Sequence, residues 1–153
     1  MIALLIRVVI DTNVWISALI NPSGEPARIM QVIRDRRIHF IVSPPLLTEM
    51  YEVVQRRRIR SRIRLTDREL DAFLAEIREL AVMVTIHGEV SWCRDVKDNI
   101  VVETAIQGGA AYIVSRDEDL TRDLNLVAIL QDLSIEAVTV ARFLQLLDAE
   151  PTS

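Results

Sequence analysis

Short apolar runs alternate with longer amphipathic segments along this chain, and the alternation restricts the fold more than any other feature. The predicted strands lie at residues 7–10, 39–42, 82–86, 110–115 and 135–138. The predicted helices lie at residues 14–19, 26–36, 44–57, 67–81, 120–133 and 140–147, and residues 95–99 lead into a further helix that stops at Gly108 and Gly109. Strands that alternate with helices predict an α/β sandwich around a mostly parallel sheet, with residues 1–150 forming a single domain.

Three hydroxyl residues are predicted to begin helices. Ser43, Thr66 and Thr139 each stand immediately before a predicted helix. Their side-chain oxygens can accept a hydrogen bond from a backbone N–H of the first turn. Pro44 strengthens the first of these predictions, because proline is well tolerated in the first turn of a helix.

Composition favours an ordered globular protein. Half of the residues are apolar, and glycine and proline together number only nine, as four plus five. The single cysteine, Cys93, excludes an internal disulfide and a multi-cysteine zinc site, so a reducing cytoplasm is the expected compartment. The apolar opening stretch is interrupted by Arg7 and is shorter than a membrane span, so no membrane partner is expected. The mean hydropathy of +0.25 is high for this length and predicts a homodimer that buries apolar surface.

The net charge of −4 conceals two local extremes of opposite sign. Six of the nine residues at 56–64 are arginine, whereas residues 95–123 contain seven carboxylates. The overall charge is against a surface coated with positive charge for nucleic acid. A chain segregated in this way can still hold a phosphate backbone with one part and metal ions with another.

Acidic residues follow the clearest predicted strands. Asp11 comes directly after one strand and Asp117 after another, while Asp98 opens the helix that leads into the second. Ligands of open parallel sheets bind beyond the carboxyl ends of the strands, and a short right-handed crossover brings the helix start to the same edge. These three carboxylates are therefore expected to converge.

A fourth acid is selected by helix geometry. With about 100° between successive residues, the apolar stripe of the helix at 44–57 centres between Leu46 and Leu47. Glu49 then borders the stripe, whereas Glu52 points almost directly outward. Glu49 is the residue predicted to reach over the end of the sheet.

Such a cluster predicts a divalent cation, because carboxylates that gather without a counter-charge repel one another. Carboxylate oxygens are hard ligands that suit Mg²⁺ or Mn²⁺. A metal-activated water can attack a phosphodiester, and a second ion can stabilise the leaving oxygen. Taken singly, each acid is also explained as a turn former, a helix cap or a solvated residue. Their joint occurrence at one edge favours chemistry.

Five segments resemble those of the PIN-domain family, in the same order and spacing and over nearly the whole chain. They are VVIDTNV (residues 8–14), SPPLLTE (43–49), DVKDNI with ETA (95–100 and 103–105), AAYIVSRDEDL (110–120) and VTVARFL (138–144). One such motif alone would be a weak signal, whereas four acidic motifs in order are specific.

The resemblance implies a three-layer α/β/α sandwich with a five-stranded parallel sheet. It also implies an endoribonuclease that depends on Mg²⁺ or Mn²⁺, as in toxins that pair with an antitoxin protein. Carried over by position, the catalytic acids would be Asp11, Glu49, Asp98 and Asp117. Asp119 would support a second metal position, Asn13 would order the Asp11 loop, and Ser115 would orient neighbouring carboxylates.

The third motif departs from the family pattern, which often has proline after the first aspartate and a further acid at the end. Val96 and Asn99 occupy those two positions here. The lower local negative charge predicts weaker metal binding, and it leaves the role of Asp95 open.

The arginine-rich segment, residues 56–64, is expected to border the cleft because it follows the Glu49 helix. Arg57, Arg60 and Arg62 are its candidate contacts for RNA phosphates or for an acidic segment of a protein partner. A solvated arginine-rich turn is the alternative.

Rival functions use the same sequence features. A metal-dependent DNA or flap-type nuclease would employ the same carboxylates, and a non-catalytic module of the same fold would act through partners only. An aspartyl phosphatase is disfavoured because the second aspartate that such enzymes place two residues after the nucleophile is here Asn13. Nucleotide-binding proteins are disfavoured because no glycine-rich phosphate loop follows a strand.

Overall fold

The computed structural model describes residues 5–116 and 118–149, apart from the side chains of Glu118 and Asp119. Within this part of the chain the strands are β1 (Ile6–Ile10), β2 (Ile38–Val42), β3 (Val82–Met83), β4 (Tyr112–Val114) and β5 (Glu136–Val138). They form one parallel sheet in the order β3-β2-β1-β4-β5. The parallel five-stranded sheet implied by the resemblance is confirmed.

The helices lie on both faces of this sheet. They are α1 (Thr12–Ile20), α2 (Glu25–Arg34), α3 (Pro44–Gln55), α4 (Arg57–Arg60), α5 (Asp67–Leu80), α6 (Val96–Gly108), α7 (Glu118–Thr121), α8 (Leu124–Asp132) and α9 (Val140–Ala149). Helices on both faces of a parallel sheet make the three-layer α/β/α sandwich that the sequence predicted. None of the described helices has the length and apolar character needed to cross a membrane.

The sheet separates two hydrophobic cores because successive side chains of a strand point to opposite faces. In β1, Val8 and Ile10 belong to one core, together with apolar residues of α1, α2, α5 and α9. Val9 belongs to the other core, which α6 and α8 cover. All three residues are at most 2% exposed. Burial on both faces explains why the strand is a continuous apolar run rather than an alternating one.

Two glycines allow α6 to end against the sheet. A Cβ at Gly108 would lie 2.4 Å from Cγ2 of Ile41, so only glycine permits this approach of helix to strand. Gly109 follows with φ 61°, the left-handed conformation that commonly ends a helix. The helix therefore stops where the sequence predicted.

Several predicted elements differ in their bounds from the observed ones. The strand predicted at 82–86 is only two residues long, although the N–H of Val84 still donates to the carbonyl of Val42. The helix predicted at 120–133 is broken into α7 and α8, because Asp123 caps a new helix through Oδ1, which accepts from the N–H groups of Asn125 and Leu126. The helix predicted at 44–57 ends at Gln55.

The predicted caps are correct at two of the three positions. Thr66 accepts from the N–H of Glu69, and Thr139 accepts from the N–H of Arg142. Ser43 precedes α3 but makes no capping hydrogen bond. Its fully buried hydroxyl lies 2.7 Å from Oγ1 of Thr104, so a tertiary hydrogen bond between α3 and α6 replaces the predicted local one.

The order of the strands determines where a ligand can bind. From β1 the chain proceeds outward through β2 to β3, and then crosses to the other side of β1 to form β4 and β5. The direction of winding thus reverses between β1 and β4. In open α/β sheets the crevice at such a reversal, beyond the carboxyl ends of the strands, is the usual ligand site.

Candidate functional site

Asp11 stands at the carboxyl end of β1, and neighbouring elements hold it from two sides. Its backbone N–H donates to the carbonyl of Val114 at 2.9 Å. Carboxylate Oδ1 accepts from the N–H of Thr12 at 2.8 Å, and Oδ2 accepts from the hydroxyl of Ser115 at 2.7 Å. The side chain is only 7% exposed. These bonds fix the direction of the carboxylate at the point where β1 and β4 end.

Glu49 approaches the same place from α3. Its Oε2 accepts a hydrogen bond of 2.9 Å from the hydroxyl of Thr12, the residue that follows Asp11. Glu49 is half-buried, whereas Glu52, one turn later, is exposed. The two glutamates therefore differ in orientation as the helix geometry predicted.

Asp98 lies in the first turn of α6 and is 4% exposed. Asp95 caps this helix, because its Oδ1 accepts from the N–H of Lys97 at 3.0 Å. The role of Asp95 that the sequence left open is thus at least that of a helix cap. An acid in the first turn is also favoured by the helix dipole, which lowers the cost of burying Asp98.

These acids line one open cleft of about 970 Å³ at the carboxyl edge of the sheet. Its acidic walls include Asp11, Glu49, Asp95 and Asp98, and its basic residues are Arg62, Lys97 and Arg116. The structure thus brings three of the four predicted catalytic acids to a single cleft. The fourth, Asp117, lies outside the described residues, and of Asp119 only the backbone, within α7, is described.

The donor chemistry of this cleft fits a hard divalent cation. Asp11 and Asp98 are almost fully buried carboxylates, and oxygen ligands of this kind suit Mg²⁺ or Mn²⁺. Among the side chains that the structure describes, which exclude those of residues 117–119, no group of three potential ligands lies close enough together to hold a metal ion. The described residues therefore supply part of a ligand set.

Asn13 and Ser115 secure the chain around Asp11 in different ways. Ser115 is fully buried and donates directly to Asp11, as expected for a residue that orients a carboxylate. Asn13 accepts from the N–H of Arg116 through Oδ1 at 3.2 Å. It therefore ties the segment after β4 to α1 and acts on the loop beyond Ser115.

The arginine-rich segment contains residues with different contacts. Arg62 lines the cleft, and Arg57 is exposed on α4. Arg60 instead binds its own loop: Nη1 donates to the carbonyl of Ile63, and Nη2 donates to the carbonyl of Leu65 and to Oδ1 of Asp67. The guanidinium of Arg60 thus closes the turn that leads into α5.

Glu103 is a buried acid to which the sequence analysis assigned no role. Its side chain is 2% exposed, and its carboxylate accepts from the N–H groups of His87, Gly88 and Val90 at 2.6, 3.0 and 3.1 Å. Burial raises the pKa of Glu103, but the backbone N–H groups that donate to the carboxylate lower it by more. The resulting pKa lies below the usual value of 4.5. Carboxylates that accept several backbone N–H bonds behave in this way.

The effect of Glu103 is to attach a loop to α6. Four residues earlier on the helix, Asn99 accepts from the N–H of Cys93 through Oδ1 at 2.9 Å. The segment 87–93, which precedes Asp95, is therefore held at two points. A signal was present in the sequence, since Glu103 is an acid within an otherwise apolar stretch of helix, IVVETAI at residues 100–106.

Comparison with known proteins gives three concordant results. A family model described as PIN domain matches residues 7–119. The uncharacterized protein MJ1680 of Methanocaldococcus jannaschii is 32% identical over 142 residues, which are 92% of this chain and 90% of that protein. The crystal structure of PAE2754 from Pyrobaculum aerophilum is similar with a TM-score of 0.61 and 15% identity, over 95% of this chain and 91% of that one. At that identity the likeness concerns the fold alone.

Proposed function

The chain belongs to the PIN-domain family, whose members are generally nucleases, and on that premise we propose that it is a metal-dependent endoribonuclease. The observation that carries the proposal is the cleft itself. Two buried aspartates and a half-buried glutamate, from β1, α6 and α3, line one open cleft at the reversal point of the sheet. Burying carboxylates side by side costs desolvation and repulsion energy. A bound cation and an anionic substrate at this ligand-binding edge of the sheet account for their presence.

In this proposal the metal ligands are Asp11, Asp98 and Asp117, and Asp119 supports a second position. Mg²⁺ or Mn²⁺, when bound, would supply charge stabilisation for the phosphate and lower the pKa of water. Ser115 keeps Asp11 pointed into the cleft, and Thr12 does the same for Glu49. Such hydrogen bonds from neighbouring residues restrict the rotamers of the acidic side chains and thereby increase the affinity for the metal.

The proposed role in the cell is that of a toxin restrained by an antitoxin protein. Support comes from the family, in which nucleases often pair with antitoxins, and from the exposed cations near the cleft, which suit an acidic partner segment. If the proposal holds, expression of the wild type should arrest bacterial growth and expression of Asp11→Asn should not. Equal growth with both would contradict the toxin role while leaving RNA cleavage open.

The activity is tested with purified protein on single-stranded RNA, structured RNA and DNA of the same sequence. RNA should be cleaved with Mg²⁺ or Mn²⁺ and not with EDTA, and Asp11→Asn should be inactive. Cleavage of DNA in preference to RNA would favour the alternative DNA or flap-type nuclease. A wild type that binds RNA but cleaves nothing with either ion would favour the non-catalytic binding module.

Metal binding is predicted separately from cleavage. Titration calorimetry should detect Mn²⁺ binding to the wild type, and Asp11→Asn should weaken it by at least about tenfold, because one buried carboxylate ligand is lost. Asp71→Asn, on the exposed surface of α5, is the matched control and should bind Mn²⁺ like the wild type. Equal affinity in Asp11→Asn and wild type would exclude Asp11 as a ligand.

A further inference from the structure

We infer that Arg116 contacts a phosphate of the nucleic-acid backbone within the cleft, an inference that rests on the proposed function. Arg116 follows β4 and Ser115 and lines the same cleft as Asp11, Glu49 and Asp98. Neither the predicted catalytic acids nor the arginine-rich segment includes this residue.

Arg116 is anchored by both its main chain and its side chain. Its N–H donates to Oδ1 of Asn13 at 3.2 Å, and its Nη1 donates to the hydroxyl of Ser17. The hydroxyl of Ser17 in turn donates to the carbonyl of Asn13 at 2.9 Å. Consecutive turns of α1 thus hold the backbone and the guanidinium of Arg116 before any substrate is present. An arginine restrained in this way loses less rotamer entropy on binding an anion than a freely moving one.

Arg116 lines a cleft in which the buried charged side chains are the carboxylates of Asp11 and Asp98. An anionic backbone that enters such a cleft is repelled unless cations lie among the acids. Among the side chains that the structure describes, no carboxylate forms an ion pair with Arg116. Its positive charge is thus directed to the cleft and does not serve to bind one of these acids.

The remaining donors of the guanidinium suit a phosphate. A guanidinium carries five N–H donors, and Ser17 engages one nitrogen. The others form the planar fork that matches two oxygens of a phosphate. Arg62 and Lys97 also line the cleft, so a backbone held by Arg116 would find further cations along its path.

Binding of a fluorescently labelled single-stranded RNA, measured by anisotropy in EDTA over a range of salt concentrations, tests the inference. Arg116→Gln should weaken binding about tenfold and reduce the log–log salt slope by about 0.7, the value for one phosphate contact on a single strand. The same change in slope is expected with DNA of the same sequence, since the contact is to phosphate. Mn²⁺ affinity should stay within about twofold of the wild type, because Arg116 is not a ligand.

The control is Arg68→Gln, which removes an exposed arginine of α5 outside the cleft and should change neither affinity nor slope. An unchanged slope in Arg116→Gln, or an equal change in Arg68→Gln, would overturn the inference. Tighter Mn²⁺ binding by Arg116→Gln, with RNA binding unaltered, would also overturn the inference, because Arg116 would then serve only to neutralise the acids. Because binding is measured in EDTA, a wild type that cleaves no RNA would contradict the proposed function without affecting this test.

A second variant guards against misfolding. Ser17→Ala removes the anchor of the guanidinium and leaves its charge in place. It should weaken RNA binding severalfold while retaining the salt slope, since the contact loses its positioning and not its charge. If Arg116→Gln does not unfold cooperatively on heating, that variant is misfolded and the inference is tested with Ser17→Ala instead. An RNA affinity equal to that of the wild type in Ser17→Ala overturns the inference.

Discussion

At the residue scale, Thr12 links two of the proposed catalytic acids, because its hydroxyl donates to Glu49 and its backbone N–H donates to Asp11. The same residue thus contacts both carboxylates. Loss of either acid would therefore disturb the other, and single substitutions in this group should not be additive.

Two glutamates on α3 provide a matched pair of variants. Glu49→Gln should lower kcat/KM for RNA by at least about tenfold, because Glu49 lines the cleft and a neutral amide is a weaker partner for a cation. Glu52→Gln should stay within about twofold of the wild type, since Glu52 is exposed. If both variants lose the same activity, the assignment of Glu49 to the cleft chemistry is wrong.

Glu103 should make the free energy of unfolding depend on pH in the acidic range. Its pKa is lowered in the folded protein, so the carboxylate contributes stability above its usual pKa of 4.5, and this contribution is lost as the pH falls through the lower folded value. The free energy of unfolding in urea should therefore decrease between about pH 6 and about pH 3, and part of this decrease should be absent in Glu103→Gln.

The glutamine variant should also be less stable near neutral pH, by about 1–3 kcal/mol for each backbone N–H left without an acceptor. Glu79→Gln, an exposed substitution on α5, is the control and should follow the wild type at every pH. Equal acid sensitivity in wild type and Glu103→Gln would show that Glu103 does not control this transition.

At the scale of elements, the arginine-rich segment combines a surface helix with a stabilised turn. Arg57 lies on α4 and Arg62 in the following loop, whereas Arg60 makes three hydrogen bonds that close the connection to α5. One run of like residues therefore contains a structural arginine beside arginines for which binding is only predicted, and the sequence alone does not separate them.

The separation can be measured. Arg60→Gln should lower the free energy of unfolding by about 1–2 kcal/mol, because its hydrogen bonds to two carbonyls and a carboxylate are charge-assisted. Arg57→Gln and Arg62→Gln together should leave stability unchanged and should flatten the salt dependence of RNA binding by up to about 1.4, or about 0.7 per contact. If the segment docks an inhibitory partner instead, the double variant should cleave RNA normally and escape inhibition. A double variant that is unchanged in both assays would show that these arginines are only solvated.

At the scale of the whole molecule, three large apolar side chains outside the cleft lining are exposed. Trp92, Val96 and Leu124 are 47%, 76% and 83% exposed. Arg94 Nη2 approaches Asp123 Oδ2 at 3.9 Å, which brings the segment around Trp92 and Val96 close to the start of α8. Exposed apolar groups that lie together commonly mark an interface.

The homodimer stays a prediction, and these exposed side chains are its candidate interface. Multi-angle light scattering at micromolar concentration should give twice the chain mass of 17.4 kDa. Leu124→Glu should shift the mass towards that of one chain, because a charge in an apolar interface is costly to bury. The control is Glu79→Gln, on the exposed surface of α5. Lys97→Glu is less suitable as a control, because Lys97 lines the cleft. A wild type that is monomeric at this concentration would refute the prediction.

The sequence by itself determined the alternation of strands with helices and the places along the chain where the acids stand. Strands β1 and β4 could be recognised as apolar, β-branched runs that end before Asp11 and Ser115. This was possible because such runs and their ends are local properties of the chain. The phase of Glu49 relative to Glu52 was predictable for the same reason, since both residues share one helix. The cap at Thr66 likewise involves a partner only three residues away.

Only the tertiary structure decided the contacts between residues that are distant along the chain. Ser43 binds Thr104 across 61 residues and does not cap its own helix, and Ser115 reaches Asp11 across 104 residues. Arg60 looks like an ordinary charged residue in the sequence, and Glu103 stands out only as an acid in a largely apolar stretch. The partners of both include backbone groups that the fold positions. A hydrogen bond needs its donor and acceptor within about 3 Å, and for distant residues the packing of the elements, which no local pattern specifies, sets that distance.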